Sequence, residues 1–144
     1  MNIIIDTREQ KPLIFTGHET ISRKLDEGDY NIEELEDKIV IERKSLQDFY
    51  QSITSDHIRF RAEILRAVAK QKVFYIFIEG NLEYFYTMEW SERKLIQKPA
   101  TLKKIVETMT KKYNLIIIEC ETREIMSNLI VSMLERNKKL MESE

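Results

Sequence analysis

The sequence has little of what marks secreted, zinc-binding or membrane-spanning proteins. Its 144 residues include one cysteine and two histidines: Cys120, His18 and His57. One cysteine forms no internal disulfide and no cysteine-rich zinc site, which predicts a reducing intracellular compartment, cytoplasmic or nuclear in type. No apolar run approaches the roughly 18 residues of a membrane span. The first residues lack the basic start and cleavage site of a signal peptide. We therefore expect an intracellular protein without a membrane partner.

Net charge is also small, but the charges are unevenly distributed. The 23 basic and 25 acidic residues leave a net charge of −2, which argues against indiscriminate nucleic-acid binding. Four acids and no base lie between Glu33 and Asp37. Between Arg59 and Lys72 there are five bases and a single acid, Glu63. A local basic face is therefore expected on an acidic protein.

Strand-like and helix-like patterns alternate along the chain. This alternation predicts one α/β domain over residues 1–140, with a frayed tail at 141–144. A hairpin of residues 29–32 and 38–43 makes its central β-sheet mixed, with helices on its flanks. The predicted strands are 2–7, 29–32, 38–43, 73–79 and 115–119; the predicted helices are 20–27, 46–53, 57–71, 91–112 with Pro99 interrupting or restarting it, and 123–139; residues 81–90 are predicted to be an aromatic loop.

Three carboxylates fall at the ends of predicted strands. They belong to Asp6, Asp29 and Glu42. Strand ends of an α/β sheet are where functional sites collect, because the backbone direction is fixed there while side chains stay accessible. Carboxylates brought together repel one another, so the cluster needs a cation. Hard oxygen ligands favour Mg²⁺ or Mn²⁺ over zinc.

A lysine stands beside the last of these carboxylates. In a strand ending at Lys44, Glu42 and Lys44 share one face and Arg43 takes the other. Lys44 could orient a water molecule or stabilise negative charge near a metal. Asp48 lies on the next predicted helix, which Ser45 is suited to cap, and it could bond a metal-bound water or Arg43. The spacing alone is also satisfied by a structural ion pair.

The motif around this pair resembles a known nuclease signature. Gly28-Asp29-Tyr30 followed by Glu42-Arg43-Lys44-x-x-x-Asp48 is similar to the XPF-type structure-specific endonuclease domain, named for xeroderma pigmentosum group F. The similarity extends over about residues 1–140. Further segments similar to the family are Ile5-Asp6-Thr7-Arg8-Glu9, Ser52-Ile53, Arg59-Phe60 and Glu79-Gly80.

The resemblance implies a restriction-endonuclease-like fold that cuts branched, flap or fork DNA in repair, recombination or replication. It implies Mg²⁺ or Mn²⁺ as the cofactor and a homodimer or heterodimer formed through the nuclease domain. It assigns metal binding to Asp6, Asp29 and Glu42, and the catalytic water to Lys44. The residues that it places in support of the site are Arg8, Glu9, Arg43 and Asp48.

Two features depart from the family pattern. Family members usually carry a downstream tandem helix-hairpin-helix domain, whose hairpins need glycine. The glycines here are Gly17, Gly28 and Gly80, with none later, so that domain is expected to be absent. Junction specificity would then come from the nuclease domain or from a partner. His57-Ile58 also replaces the family's glycine before Arg59-Phe60, where DNA backbone would approach.

The predicted helix 57–71 carries an apolar stripe and a basic face. We predict that Arg59, Arg66 and Lys70 contact DNA phosphates; the alternative is an ordinary solvated face. The aromatic residues that follow are predicted to pack in the core or a dimer interface rather than to stack on bases. The stripe comprises Phe60, Ile64, Leu65 and Val68, and the aromatic residues are Tyr84, Phe85, Tyr86 and Trp90.

The sequence thus predicts a metal-dependent DNA endonuclease that uses water as the nucleophile. One alternative is a non-catalytic subunit on the same fold that binds DNA or dimerises. Another is a nuclease of this fold that acts on plain duplex DNA or on RNA. Every charged residue of the motif is present, which favours an active subunit.

Overall fold

A computed structural model of the chain describes residues 1–88 and 99–144. These residues form a central sheet with helices on both faces. The strands are β1 Asn2–Ile5, β2 Glu19–Ser22, β3 Tyr30–Asn31, β4 Ile39–Ser45, β5 Val73–Glu79 and β6 Ile116–Cys120. The helices are α1 Leu46–Ile53, α2 His57–Ala69, α3 Leu82–Thr87, α4 Pro99–Tyr113 and α5 Arg123–Glu142, with a 3₁₀ turn at Glu33–Leu35.

The sheet is mixed, as predicted. Its strand order is β2-β1-β3-β4-β5-β6. Within the described residues, β3 alone runs antiparallel to its neighbours, β1 and β4. The carboxyl ends of β1 and β4 therefore meet the start of β3 at one edge of the sheet. This edge collects the ends of three adjacent strands, where the sequence places its carboxylates.

Two apolar cores lie on opposite faces of the sheet. Helices α1 to α4 pack on the face that carries Val40, Ile76 and Ile78. Helix α5 packs on the other face, which carries Ile41 and Phe77. Because side chains alternate along β4, residues 42 and 44 extend the first face and residue 43 extends the second. The predicted alternation is confirmed.

Side-chain caps set the starts of two predicted helices. The Ser45 Oγ accepts the backbone N–H of Asp48 at 3.1 Å and begins α1. The Thr122 Oγ1 accepts the N–H of Ile125 at 3.1 Å and begins α5. Each cap satisfies an N–H that has no partner within the helix, which is typically worth about 1 kcal/mol. Helix α5 extends to Glu142, so it includes two residues of the predicted tail.

The helix predicted at 20–27 is wrong. Residues Glu19–Ser22 form β2, which pairs in parallel with β1. The Ile21 side chain is 47% exposed, so Ile21 and Leu25 form no buried helical stripe. The β-branched Thr20 and Ile21 suit an edge strand. Gly28 does not end a helix; its φ is +82°, and a Cβ there would lie 2.8 Å from the carbonyl oxygen of Ile41.

The aromatic loop predicted at 81–90 is also wrong in its secondary structure. Residues Leu82–Thr87 form α3, capped by the Asn81 side chain. Phe85 is buried against Phe49, with ring centroids 5.3 Å apart, as the packing prediction expected. Tyr84 is exposed instead. Trp90 and the predicted helix start at residue 91 lie outside the described residues.

The apolar stripe predicted on α2 is only partly correct. Phe60 and Ile64 are buried, but Leu65 and Val68 are exposed, and Ala67 takes the buried position one turn after Ile64. The stripe is therefore narrower than the sequence indicates. Among the helices described, none is long and apolar enough to cross a membrane.

Candidate active site

Asp29 and Glu42 face each other across the β3–β4 pair. The Asp29 N–H donates to the Ile41 carbonyl at 2.7 Å, and Asp29 Oδ2 accepts the N–H of Arg43 at 2.8 Å. These bonds fix the Asp29 carboxylate at the end of β4, where it interacts with the Glu42 carboxylate. The prediction that the two ends of the hairpin lie together is confirmed.

Burial and mutual repulsion raise the pKa of both groups. Burial raises the pKa of Asp29 to about 6. Burial, followed by the charges of Asp29 and Glu63, raises the pKa of Glu42 well above its usual value. Glu42 Oε2 is buried and has no hydrogen-bond partner among the described residues. A buried carboxylate oxygen without a donor is costly, and a bound cation would remove that cost.

Lys44 lies beside this pair. Its Nζ is 3.6 Å from Glu42 Oε1 and 5.0 Å from the centre of the Phe60 ring. The side chain is mostly buried between the two groups. The ammonium is therefore held at the carboxylates by one ionic and one cation–π contact.

Asp6 lies one strand away, and its carboxylate is already engaged. Oδ2 accepts the Nε and the backbone N–H of Arg8 at 2.8 and 3.0 Å, and Oδ1 accepts the N–H of Leu25 at 2.7 Å and Nη2 of Arg8 at 3.3 Å. Burial acts to raise the pKa of Asp6, but these hydrogen bonds outweigh it and the net pKa is lowered. Asp6 is thus a hydrogen-bonded anion paired with Arg8, in contrast to Asp29 and Glu42.

Arg43 organises a separate network on the opposite face of β4. Its Nε and Nη2 donate to the two oxygens of Glu9 at 2.8 and 2.6 Å, and its Nη1 donates to Glu79 Oε1 at 2.7 Å. Arg123 shares the same Glu79 oxygen at 2.7 Å. The Tyr30 hydroxyl donates to Glu9 at 3.0 Å. The network ties the exit of β1 to the ends of β4 and β5 and to the start of α5.

The predicted partner of Arg43, Asp48, stands exposed on α1, while Arg43 pairs with Glu9 and Glu79. The sequence did not predict that Glu79 pairs with Arg43, and it did not indicate that Arg123 belongs to this network. The signal for Glu79 was available, because parallel β4 and β5 place Ser45 opposite Glu79 and so bring both strand ends together. Arg123 carries no such signal, since it comes from the far end of the chain.

The predicted DNA-contacting residues occupy different environments on α2 and at its end. The Arg59 side chain is 87% exposed and lies 3.6 Å from Asp56, and Arg66 is also exposed. Lys70 Nζ instead contacts both oxygens of the buried Glu27 at 3.1 Å, and Lys72 contacts the same group at 3.4 Å. Arg59 and Arg66 are therefore available to a phosphate, and Lys70 is largely committed to Glu27.

The donor set at the end of β4 fits a small divalent cation. Within residues 1–88 and 99–144, no three Asp, Glu, His or Cys side chains already form a metal cage. Mg²⁺ does not require one, because it keeps several waters and is commonly held by one or two carboxylates together with substrate phosphate. The unpartnered oxygen of Glu42 and the adjacent Asp29 meet that requirement.

A family model for the ERCC4 domain matches residues 5–133. The chain belongs to the ERCC4 domain family. This family is of the nuclease type. No curated protein sequence matches the chain.

Two solved structures share the fold. XPF from Aeropyrum pernix has a TM-score of 0.74 at 18% identity, over 99% of this chain and 68% of that one. XPF from Aeropyrum pernix in complex with DNA has a TM-score of 0.69 at 19% identity, over 96% of this chain and 65% of that one. The mixed sheet with flanking helices is thus the restriction-endonuclease-like fold of the XPF nuclease domain. The chain spans about two thirds of these proteins.

Proposed function

We propose that this ERCC4 domain is a Mg²⁺- or Mn²⁺-dependent endonuclease that hydrolyses phosphodiester bonds in branched, flap or fork DNA. The observation that carries the proposal is the pair of buried carboxylates with raised pKa, Asp29 and Glu42, with Lys44 beside them. A purely structural ion pair would leave one carboxylate and one ammonium, each satisfied. Here a second carboxylate adds negative charge that Lys44 alone does not balance.

Each residue of the site has a role in the proposed reaction. Asp29 and Glu42 would hold the cation, which supplies Lewis-acid polarisation of the phosphate and a more acidic water. Lys44 is within reach of the same space, where its ammonium orients the attacking water and offsets charge on the phosphate. Arg43 acts through β4. Its bonds to Glu9 and Glu79 fix the end of the strand that carries Glu42 and Lys44.

DNA binding is proposed for the outer surface of α2. Arg59 and Arg66 are exposed on the helix that packs over the Glu42 face of the sheet. Basic side chains beside a nuclease site contact the phosphate backbone without reading its sequence. XPF from Aeropyrum pernix has been solved in complex with DNA, which supports a DNA partner for this chain.

A cleavage panel tests this function. Labelled flap, fork, splayed-arm and plain duplex DNA are incubated with the protein, with and without Mg²⁺ or Mn²⁺. We expect metal-dependent cuts in the branched substrates and little or none in the duplex. Binding without cleavage of any substrate would favour a non-catalytic DNA-binding or dimerisation subunit. If plain duplex DNA or RNA is cleaved as well as branched DNA is, the protein is a nuclease of this fold with a different substrate.

We also propose that the domain forms a homodimer or a heterodimer. The support is the apolar surface that α5 leaves exposed at Ile125, Leu129 and Leu140. Exposed apolar side chains on one helix are typical of interfaces. Mass measured in solution by light scattering distinguishes a dimer from a monomer. A monomer at every concentration would restrict the proposal to a heterodimer.

A further inference from the structure

A third carboxylate reaches the end of β4 from outside the predicted motif. Glu63 lies on α2, between the buried Phe60 and Ile64 that seat this helix on the sheet. Its Oε2 accepts the backbone N–H of Gly28 at 3.1 Å. The Glu63 carboxylate also interacts with that of Glu42. Helix packing, rather than sequence proximity, therefore delivers this side chain to the site.

The site then holds more negative charge than its protein cations balance. Asp29 and Glu63 each act on Glu42, and Lys44 Nζ lies 3.6 Å from Glu42 Oε1. Arg8, which is paired with Asp6, is also acted on by Glu63 and Asp29, so two cations face four carboxylates. Buried carboxylates in such a cluster are held together by protons or by a cation. Glu42 Oε2, buried and without a partner in the described part of the chain, points to a ligand as a separate observation.

Glu63 and Asp6 differ in how much of each carboxylate is free. Both Asp6 oxygens accept hydrogen bonds from Arg8, and one also accepts the N–H of Leu25. Glu63 accepts one backbone N–H through Oε2. A cation competing for Asp6 has to displace Arg8, whereas Glu63 retains coordinating capacity beside Glu42.

Building on the proposed nuclease function, we propose that Glu63 supplies the third carboxylate of the divalent-cation site, in place of Asp6. The same side chain also anchors the turn at Gly28, which precedes Asp29. The two roles respond differently to substitution. Glu63→Gln keeps an oxygen for the Gly28 N–H and removes the charge. Glu63→Ala removes both.

Mn²⁺ binding measured without DNA tests the proposal independently of cleavage. The protein is titrated with Mn²⁺ by electron paramagnetic resonance or calorimetry. We expect Glu63→Gln to weaken Mn²⁺ binding by about tenfold or more, and to weaken it more than Asp6→Asn does. Glu63→Asp, which keeps the charge on a shorter side chain, should lie between the wild type and Glu63→Gln. The control is Glu135→Gln, an exposed charge on α5 across the sheet, which should bind as the wild type does.

Thermal unfolding gives a second readout, because Glu63→Gln should have opposite effects on the melting temperature of the metal-free protein and on the gain in melting temperature with Mg²⁺. Glu63→Gln relieves repulsion in the metal-free protein, so its melting temperature should rise. The further gain on adding Mg²⁺ should shrink, because that gain follows metal affinity. If Glu63 is only an anchor, Glu63→Gln keeps the full Mg²⁺ gain and only Glu63→Ala lowers the metal-free melting temperature. That result overturns the inference.

The outcomes separate this inference from the proposed function. If the wild type binds Mn²⁺, Glu42→Gln abolishes binding and Glu63→Gln matches the wild type, the metal site stands and the role of Glu63 is wrong. If Asp6→Asn loses more affinity than Glu63→Gln, the third ligand is Asp6. If the wild type binds no Mn²⁺ or Mg²⁺ at millimolar concentration, both the inference and the metal-dependent function fail.

Discussion

Arg43 and Glu9 form a bidentate ion pair, with Nε–Oε2 and Nη2–Oε1 distances of 2.8 and 2.6 Å. Both side chains are nearly buried. The Glu9 charge and hydrogen bonds raise the pKa of Arg43 further above its already high value, so it stays charged at every usable pH. The pair is therefore a permanent clamp between the exit of β1 and the end of β4.

Breaking this clamp should be costly. Arg43→Ala leaves Glu9 and Glu79 as buried or half-buried charges without their main partner, a loss of about 3 kcal/mol in the free energy of unfolding. Urea denaturation of the metal-free protein measures it. The control is Arg23→Ala, which removes an exposed pair with Glu36 and should change stability little. Equal losses in both variants would show that the clamp has no special role.

Neutralising the paired carboxylates should separate cleavage from binding. Glu42→Gln and Asp29→Asn each remove a proposed metal ligand while keeping side-chain shape. We expect cleavage to be abolished and DNA affinity to be unchanged or higher, because negative charge near the phosphate is lost. Electrophoretic mobility shift and cleavage on one labelled fork measure both. Near-normal cleavage by either variant would refute its metal role.

Stability of the metal-free protein should fall as pH rises from about 4 to about 6. Asp29 has a pKa of about 6 in the fold against an ordinary value of 3.8, so between these values the folded state holds a proton that the unfolded state has released. Stability therefore decreases with pH across this window, by up to about 3 kcal/mol. Asp29→Asn should flatten this part of the profile. Saturating Mg²⁺ should reverse the slope, since metal binding favours the ionised form.

Salt dependence distinguishes the basic residues of α2 from Lys70. Arg59→Ala should lower DNA affinity and reduce the slope of log K against log salt by about one. Lys70→Ala should change the slope less, because its ammonium is shared with Glu27. Fluorescence anisotropy at several salt concentrations measures both slopes. An unchanged slope in Arg59→Ala would indicate that this surface is an ordinary solvated helix face that does not contact DNA.

The sequence predicted the parts of the fold that local rules determine. The two-residue period of a strand placed Glu42 and Lys44 on one face and Arg43 on the other. Ser45 and Thr122 predicted their helix starts, because a hydroxyl before a helix satisfies a free N–H. Local rules failed at residues 20–27. Ile21 and Leu25 have the spacing of a helix, but residues 19–22 pair with the free edge of β1 instead.

The candidate site was predictable in its charges but not in its hydrogen bonds. Strand ends brought Asp29 to Glu42 as expected. Sequence position did not reveal that Arg8, two residues away, saturates Asp6. It also gave no reason to connect Glu63 with Glu42, because their contact depends on how α2 packs over the sheet. Which carboxylate oxygen is left without a donor is a property of the assembled fold.

The shortness of β3 has a mechanical consequence. In the described residues, the two-residue strand Tyr30–Asn31 joins the parallel pair β1–β2 to the parallel trio β4–β5–β6. The sheet is narrowest there, with the Arg43–Glu9 clamp beside the joint. The apolar core that contains Ile3, Tyr30 and Ile41 crosses this joint, and Asp29 is hydrogen-bonded to β4 on one side and, through its carbonyl, to Asp6 on the other. Side-chain packing and hydrogen bonds outside the strand ladder therefore hold the two parts of the sheet together where strand pairing is shortest.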